Sequence, residues 1–189
     1  MNNSSKLFKI ILISLFSAMA AVLMFLSFPL PVLPSYLKVD FSDIPAIIAA
    51  LVFTPAAGIL VEGLKNILYL LLTGASDPVG VAANFLAGTM FILPVALIYR
   101  KYKTFKSVVF GIIVSTITMA IGMGILNYFL ILPAYTWFMG FEEMNAQVRW
   151  VTVYGALLPF NAIKGVFISL LFIPVFMNLR PWFAKKGYV

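Results

Sequence analysis

Three residues of the stretch VEGLKN, Glu62, Lys65 and Asn66, stand at i, i+3 and i+4. On a helix that spacing puts a carboxylate, an ammonium and an amide near one face. Asn161 and Lys164 repeat the i, i+3 arrangement inside LPFNAIKGVF, where the next charges along the chain are Arg149 and Arg180. Asn84, and the pair Asn127 and Tyr128, complete a set of polar groups embedded in otherwise apolar sequence. A lysine or glutamate at the centre of a bilayer costs about 2.5–3.5 kcal/mol even on a permissive insertion scale. Two chemistries match the set. The charges could pair with one another while the amides join helices at roughly 1 kcal/mol each, or the groups could line a pocket for a hydrogen-bonding ligand.

The surrounding composition fixes the environment. Hydrophobic residues make up 63 % of the 189 residues and charged residues 10 %, against roughly 45–50 % and 25 % in soluble domains. With a mean hydropathy of +1.07, the chain reads as an all-α integral membrane protein, a single transmembrane domain over residues 1–189. It contains no cysteine and no histidine, which excludes disulfides, thiol nucleophiles, zinc sites and the usual neutral-pH base. No metal site and no cofactor are expected. GILVEGLKN resembles a phosphate-binding loop only superficially, because Leu64 precedes Lys65 and no strand leads into it.

The N-terminal apolar run is too long for a signal-peptide core, so a retained first span is expected. Further spans fit residues 78–99, 107–132 and 153–178, joined by loops at 100–107 (RKYKTFKS) and 134–150. Residues 43–73 are too long for one span, and Pro55 and Gly58 interrupt them. Two helices there give six in total. Lys6, Lys9, Arg100, Lys101, Lys103, Lys106, Arg180, Lys185 and Lys186 then share one side, nine of the thirteen cations. The other side carries Lys38 and Arg149 with Asp40, Asp43, Asp77, Glu142 and Glu143. The excess of Lys and Arg marks the cytoplasmic side, so both termini are expected in the cytoplasm. The +7 net charge is thereby a topology signal with attraction to anionic lipid, and nucleic acid is not an expected partner.

With this topology, at 1.5 Å per residue, Asn66, Asn84, Asn127 and Asn161 each lie roughly 8–12 Å below the outer face, with Glu62, Lys65 and Lys164 a little deeper. Polar groups from four helices at one depth favour a pocket open to the outside. Four amides with partly cancelling charges suit a neutral, hydrogen-bond-rich molecule. Tyr36, Tyr135, Trp137, Phe138, Trp150 and Tyr154 either cover a flat ring or form an interfacial belt. The first helix brings no polar group to the pocket. Its small residues at spacing four, Ser14 to Ala18 and Ser17 to Ala21, form a smooth face for a membrane partner or for packing within the bundle. An intramembrane enzyme with Glu62 as base is disfavoured because no second acid is expected at that depth. A carrier coupled to ions and acting alone on a small vitamin or nucleobase-like solute is the alternative to simple capture.

YLKVDFSDIP, EGLKNILYLLLTG, GVAANFLAG and LPFNAIKG, in that order, resemble the riboflavin-binding substrate-specificity (S) components of energy-coupling factor (ECF) transporters, over essentially the whole chain. The first helix resembles them less closely, because a serine stands where an A-x-x-x-A pattern often begins. The resemblance implies a Gram-positive plasma-membrane protein that captures riboflavin with high affinity from outside and is not an enzyme. It implies work with a transmembrane energy-coupling subunit and two ATP-binding subunits. It also implies a pocket using Glu62, Lys65, Asn66, Asn84, Asn161 and Lys164, under a lid containing Tyr36, Leu37, Lys38 and Asp40.

Overall fold

The structure is a computed structural model that describes residues 3–31 and 33–185; Lys186, counted above in the C-terminal basic flank, lies outside them. Helix α1 (Asn3–Phe25) is followed by a short hairpin in which β1 (Phe28–Pro29) pairs antiparallel with β2 (Lys38–Val39). Then come α2 (Asp43–Val52), α3 (Pro55–Leu72), α4 (Pro78–Tyr102) and α5 (Phe105–Leu126). A π turn at Asn127–Ile131 leads into α6 (Leu132–Met139). After α7 (Ala146–Thr152), a second π turn at Val153–Leu157 leads into α8 (Leu158–Lys185).

Residues 43–73 do divide into two helices. Phe53 ends α2, and Thr54 caps α3 by accepting the Ala57 amide at 3.1 Å, with Pro55 in the first turn where its missing N–H costs nothing. At Gly58 a Cβ would stand 2.8 Å from the Ala46 carbonyl oxygen, so glycine lets α2 and α3 fold back closely. At 1.5 Å per residue, the ten residues of α2 extend about 15 Å, half of a hydrocarbon core of ~30 Å. Among the described residues, five helical segments are long and apolar enough to cross a membrane: Lys6–Phe25, Pro55–Leu72, Pro78–Tyr102, Phe105–Met139 and Ala146–Trp182. The chain is a multi-pass membrane protein, with α2 as a sixth, shorter apolar helix.

Both expected loops are shorter than the sequence reading placed them. The 100–107 loop contracts to a tight turn, because Thr104 and Ser107 form a reciprocal capping box and Lys103 takes a left-handed conformation at φ +50°. The 134–150 loop is mostly helical. Helix α6 runs on to a left-handed Gly140 (φ +69°), and α7 starts where Asn145 accepts the Val148 amide at 2.9 Å.

The core is apolar at the end of the bundle holding the α4–α5 turn. Phe91, Ile92, Val95, Tyr99, Met119, Ile168, Phe172 and Phe176 are buried there. Within α4, Pro94 interrupts the helical ladder, and the Val95 amide donates to Ser115 Oγ of α5 at 3.0 Å. The buried charges gather toward the opposite end.

The small residues of α1 divide between two faces. Ser17 and Ala21 are buried on the bundle side, where α1 meets α2 and α3, while Ser14 and Ala18 are exposed. Of the two small-residue lines, Ser14–Ala18 is the one left exposed.

Candidate functional site

The end of α1, the β1–β2 hairpin, the end of α3, the start of α4, the α5–α6 junction and the start of α8 enclose a cavity of about 390 Å³. This lies in the range of roughly 300–1,000 Å³ typical of small-molecule sites. Asn84, Asn127, Asn161 and Lys164 line it, as do Tyr36, Leu37, Lys38 and Asp40 from the loop. Asn127 donates Nδ2 to the Met123 carbonyl at 2.7 Å, and Asn161 donates Nδ2 to the Leu157 carbonyl at 2.8 Å. Each amide is thus held against its own helix beside a π turn, a distortion frequent at functional sites. Asn84 Oδ1 and Asn66 Oδ1 are both buried without a hydrogen-bond partner, and of the two only Asn84 lines the cavity, where a ligand donor could satisfy it.

Glu62, Lys65 and Asn66 do not line the cavity; they stand behind its floor, nearly or fully inaccessible. Lys65 Nζ contacts Asp43 Oδ1 and also reaches Ser42 Oγ at 2.7 Å and Glu62 Oε1 at 2.8 Å. Asn66 Nδ2 donates to Glu62 Oε1 at 3.0 Å. Lys164 Nζ lies 3.3 Å from Asp43 Oδ2. Room for Glu62 comes from α4, because a Cβ on Gly88 would collide with the Glu62 carboxylate.

Asp43 corrects the sequence reading, which put it with the charges of the outer flank and expected no second acid at the depth of Glu62. It is 0 % exposed. The loop dips into the bundle before α2 begins, so the first residue of that helix meets α3 and α8. Two carboxylates and two ammonium groups therefore meet in the bundle, formally balanced. The sequence signal was present: Ser42 directly precedes a ten-residue apolar helix that opens with Asp43. Along the same loop, the Ser42 amide donates to Asp40 Oδ1 at 2.8 Å and the Ser42 hydroxyl contacts the same oxygen. Leu37 and Val39 pack with Val153, Leu157 and Phe160 of the α7–α8 segment.

Tyr128 does not line the cavity but packs against the cluster of Leu37, Leu157 and Phe160 at its edge. Its ring lies 4.7 Å from that of Trp150, with the Arg149 guanidinium 5.5 Å from its centre. Trp150 stacks on Tyr154 at 4.9 Å, and Trp137, Phe138, Trp150 and Tyr154 are exposed. These four do not line the cavity, and of the six aromatics singled out only Tyr36 and Tyr135 reach it. Tyr135 donates its hydroxyl to Asp77 Oδ2 at 3.1 Å, while Asp77 Oδ1 accepts the Gly80 amide at 2.8 Å. This pair at the cavity wall was not anticipated. Among the described residues no group of carboxylates is placed to hold a metal ion.

Residues 8–176 match the family described as the substrate-specific component of ECF transporters. The chain is 46 % identical over 183 residues to the riboflavin transporter FmnP of Bacillus subtilis (strain 168), covering 96 % of each chain. It is 45 % identical to the riboflavin transporter RibU of Staphylococcus aureus (strain TCH60), covering 94 % of this chain and 93 % of the relative. The solved S component of a bacterial ECF transporter superposes with a TM-score of 0.81 at 42 % identity, covering 94 % of this chain and 98 % of the other. The structure of ThiT from Listeria monocytogenes shares the fold, with a TM-score of 0.57 at 22 % identity. The chain belongs to the ECF transporter substrate-specific component family, and its role is transport, not catalysis.

Proposed function

We propose that this chain captures riboflavin from outside the cell for uptake by an ECF transporter. The observation that carries the reading is the cavity wall of Asn84, Asn127, Asn161 and Lys164, in a chain about 46 % identical to a riboflavin transporter. The isoalloxazine system has apolar faces and a uracil-like polar edge, and its ribityl chain carries hydroxyls. Amides that both donate and accept suit such a molecule, and Leu37, Tyr36 and Phe160 offer apolar area to the ring faces. Glu62, Lys65 and Asn66 act from behind the floor by holding it in shape, and the loop carrying Tyr36, Leu37, Lys38 and Asp40 acts as lid.

In this reading α2 counts as a sixth helix of a single domain, the two termini and the α4–α5 turn face the cytoplasm, and the cavity opens outward. The basic bias of Lys6, Lys9 and the 100–106 segment supports that orientation. The chain has no nucleotide-binding motif, so a transmembrane coupling subunit and two ATP-binding subunits supply the energy.

The test is a titration. Purified chain, stripped of bound small molecules, is added to riboflavin while its fluorescence is followed. Saturable quenching with a yellow bound form is the expected result. Riboflavin fluorescence indifferent to the protein would make the ligand assignment wrong. Uptake into vesicles containing this chain alone, without ATP, would instead mark an ion-coupled carrier.

A further inference from the structure

Seven charged side chains stand in or immediately behind the cavity wall. Lys38, Asp40, Asp77 and Lys164 line it, and Asp43, Glu62 and Lys65 form the buried cluster beneath. Three cations face four carboxylates. Lys164 is the one cation on the cavity floor, and Asp43 is its only ion-pair partner among the described residues. Asp43 reaches it with Oδ2, which accepts no hydrogen bond of normal geometry. The contact balances the charge of Lys164, whose side chain also lines the cavity. The other oxygen of Asp43 is fixed by Lys65, so the carboxylate cannot turn away.

We propose that Asp43 is a specificity-determining residue: by neutralising Lys164, it makes the cavity accept an uncharged flavin and discriminate against the phosphate ester of the same flavin. The inference rests on the riboflavin reading above. An ammonium buried without a counter-charge is costly, and an anionic ligand group is the natural compensation. Removing the Asp43 charge creates that situation, whereas removing Lys164 leaves a carboxylate behind the floor and repels an anion further. A unit charge roughly 10 Å away at an effective dielectric of about 20 changes a binding constant by a factor on the order of ten.

The test is the ratio of two dissociation constants, flavin mononucleotide over riboflavin, measured by fluorescence quenching on the purified full chain. Asp43→Asn is expected to lower that ratio about tenfold relative to the parent chain, and Lys164→Gln to raise it. The double variant Asp43→Asn/Lys164→Gln, which removes both members of the pair, is expected to return toward the parent ratio. A purely structural role would weaken both ligands together and leave the ratio fixed. An unchanged ratio in Asp43→Asn overturns the proposal. Should Asp43→Asn not fold, the double variant is compared with Lys164→Gln, a pair that differs only in the Asp43 charge: a lower ratio in the double variant supports the proposal and an equal one overturns it. A parent chain that binds neither flavin refutes the riboflavin reading itself, a separate failure from an unmoved ratio.

Discussion

The strongest constraint on any single residue here is the burial of Lys164, Lys65, Glu62 and Asp43 in a chain surrounded by lipid. Each alone is expensive; together they hold one another across α2, α3 and α8. Lys164 and Asn161 differ from the rest in also reaching the cavity. Lys164→Ala and Asn161→Ala are each expected to weaken riboflavin binding more than about tenfold, the loss of one good polar contact. Quenching titrations check this, and unchanged affinity in both would remove α8 from the pocket. Gly88 offers a test of the cluster that touches no charge. Gly88→Ala pushes a methyl group into the Glu62 carboxylate and is expected to destabilise the protein by roughly 1–3 kcal/mol, as overpacking does, seen as a lowered Tm in detergent. An unshifted Tm would mean that Glu62 relaxes freely. Lys164, Asn161, Glu62, Lys65 and Asn66 were legible in the sequence because helical spacing converts directly into depth. Asp43 was not. It adjoins an exposed-looking loop, and only the tertiary descent of that loop into the bundle takes it out of water.

Elements were legible where their ends are written in local chemistry. The break before α3 follows from Thr54 and Pro55, and the tight approach of α2 from Gly58. Helices α6 and α7 were missed because an aromatic interfacial segment has the composition of a loop, and the π turns that lead out of α5 and into α8 leave no simple sequence mark. The first helix is legible in part: its small residues were visible, but not which of the two lines would be buried. That division changes what substitutions there should do. Ala18 is exposed, so Ala18→Trp is expected to spare riboflavin binding and abolish uptake by the assembled transporter, if the Ser14–Ala18 line meets the coupling subunit. Ala21 is 3 % exposed, and Ala21→Trp should instead lower stability by forcing α1 from its contacts in the bundle. Binding and transport assays on the two variants separate these effects. Normal uptake with Ala18→Trp would clear this face of any role in docking.

At the scale of the whole molecule, the cavity and the buried charges lie toward one end, and the basic turn between α4 and α5 lies at the other. Polarity of function requires that these ends face different compartments. Lys and Arg are held back on the cytoplasmic side by the charge bias of insertion, and the energy source must act from the side where ATP is found. Lys101 and Lys103 at the turn are exposed, as are Trp137 and Phe138 beyond the cavity end. The absence of cysteine from the sequence makes a direct test clean. Lys103→Cys and Trp137→Cys each introduce a single thiol at an exposed position, at opposite ends of the bundle. In intact cells a membrane-impermeant maleimide is expected to label the thiol at 137 and not the one at 103. Inside-out vesicles are expected to reverse the pattern. The opposite result would turn the cavity toward the cytoplasm, and capture from outside would then be untenable whatever the ligand. Equal labelling of both positions from one side would break the argument one step earlier, because 103 and 137 bracket a single continuous helical segment. That segment, α5 with its π turn and α6, would then fail to cross.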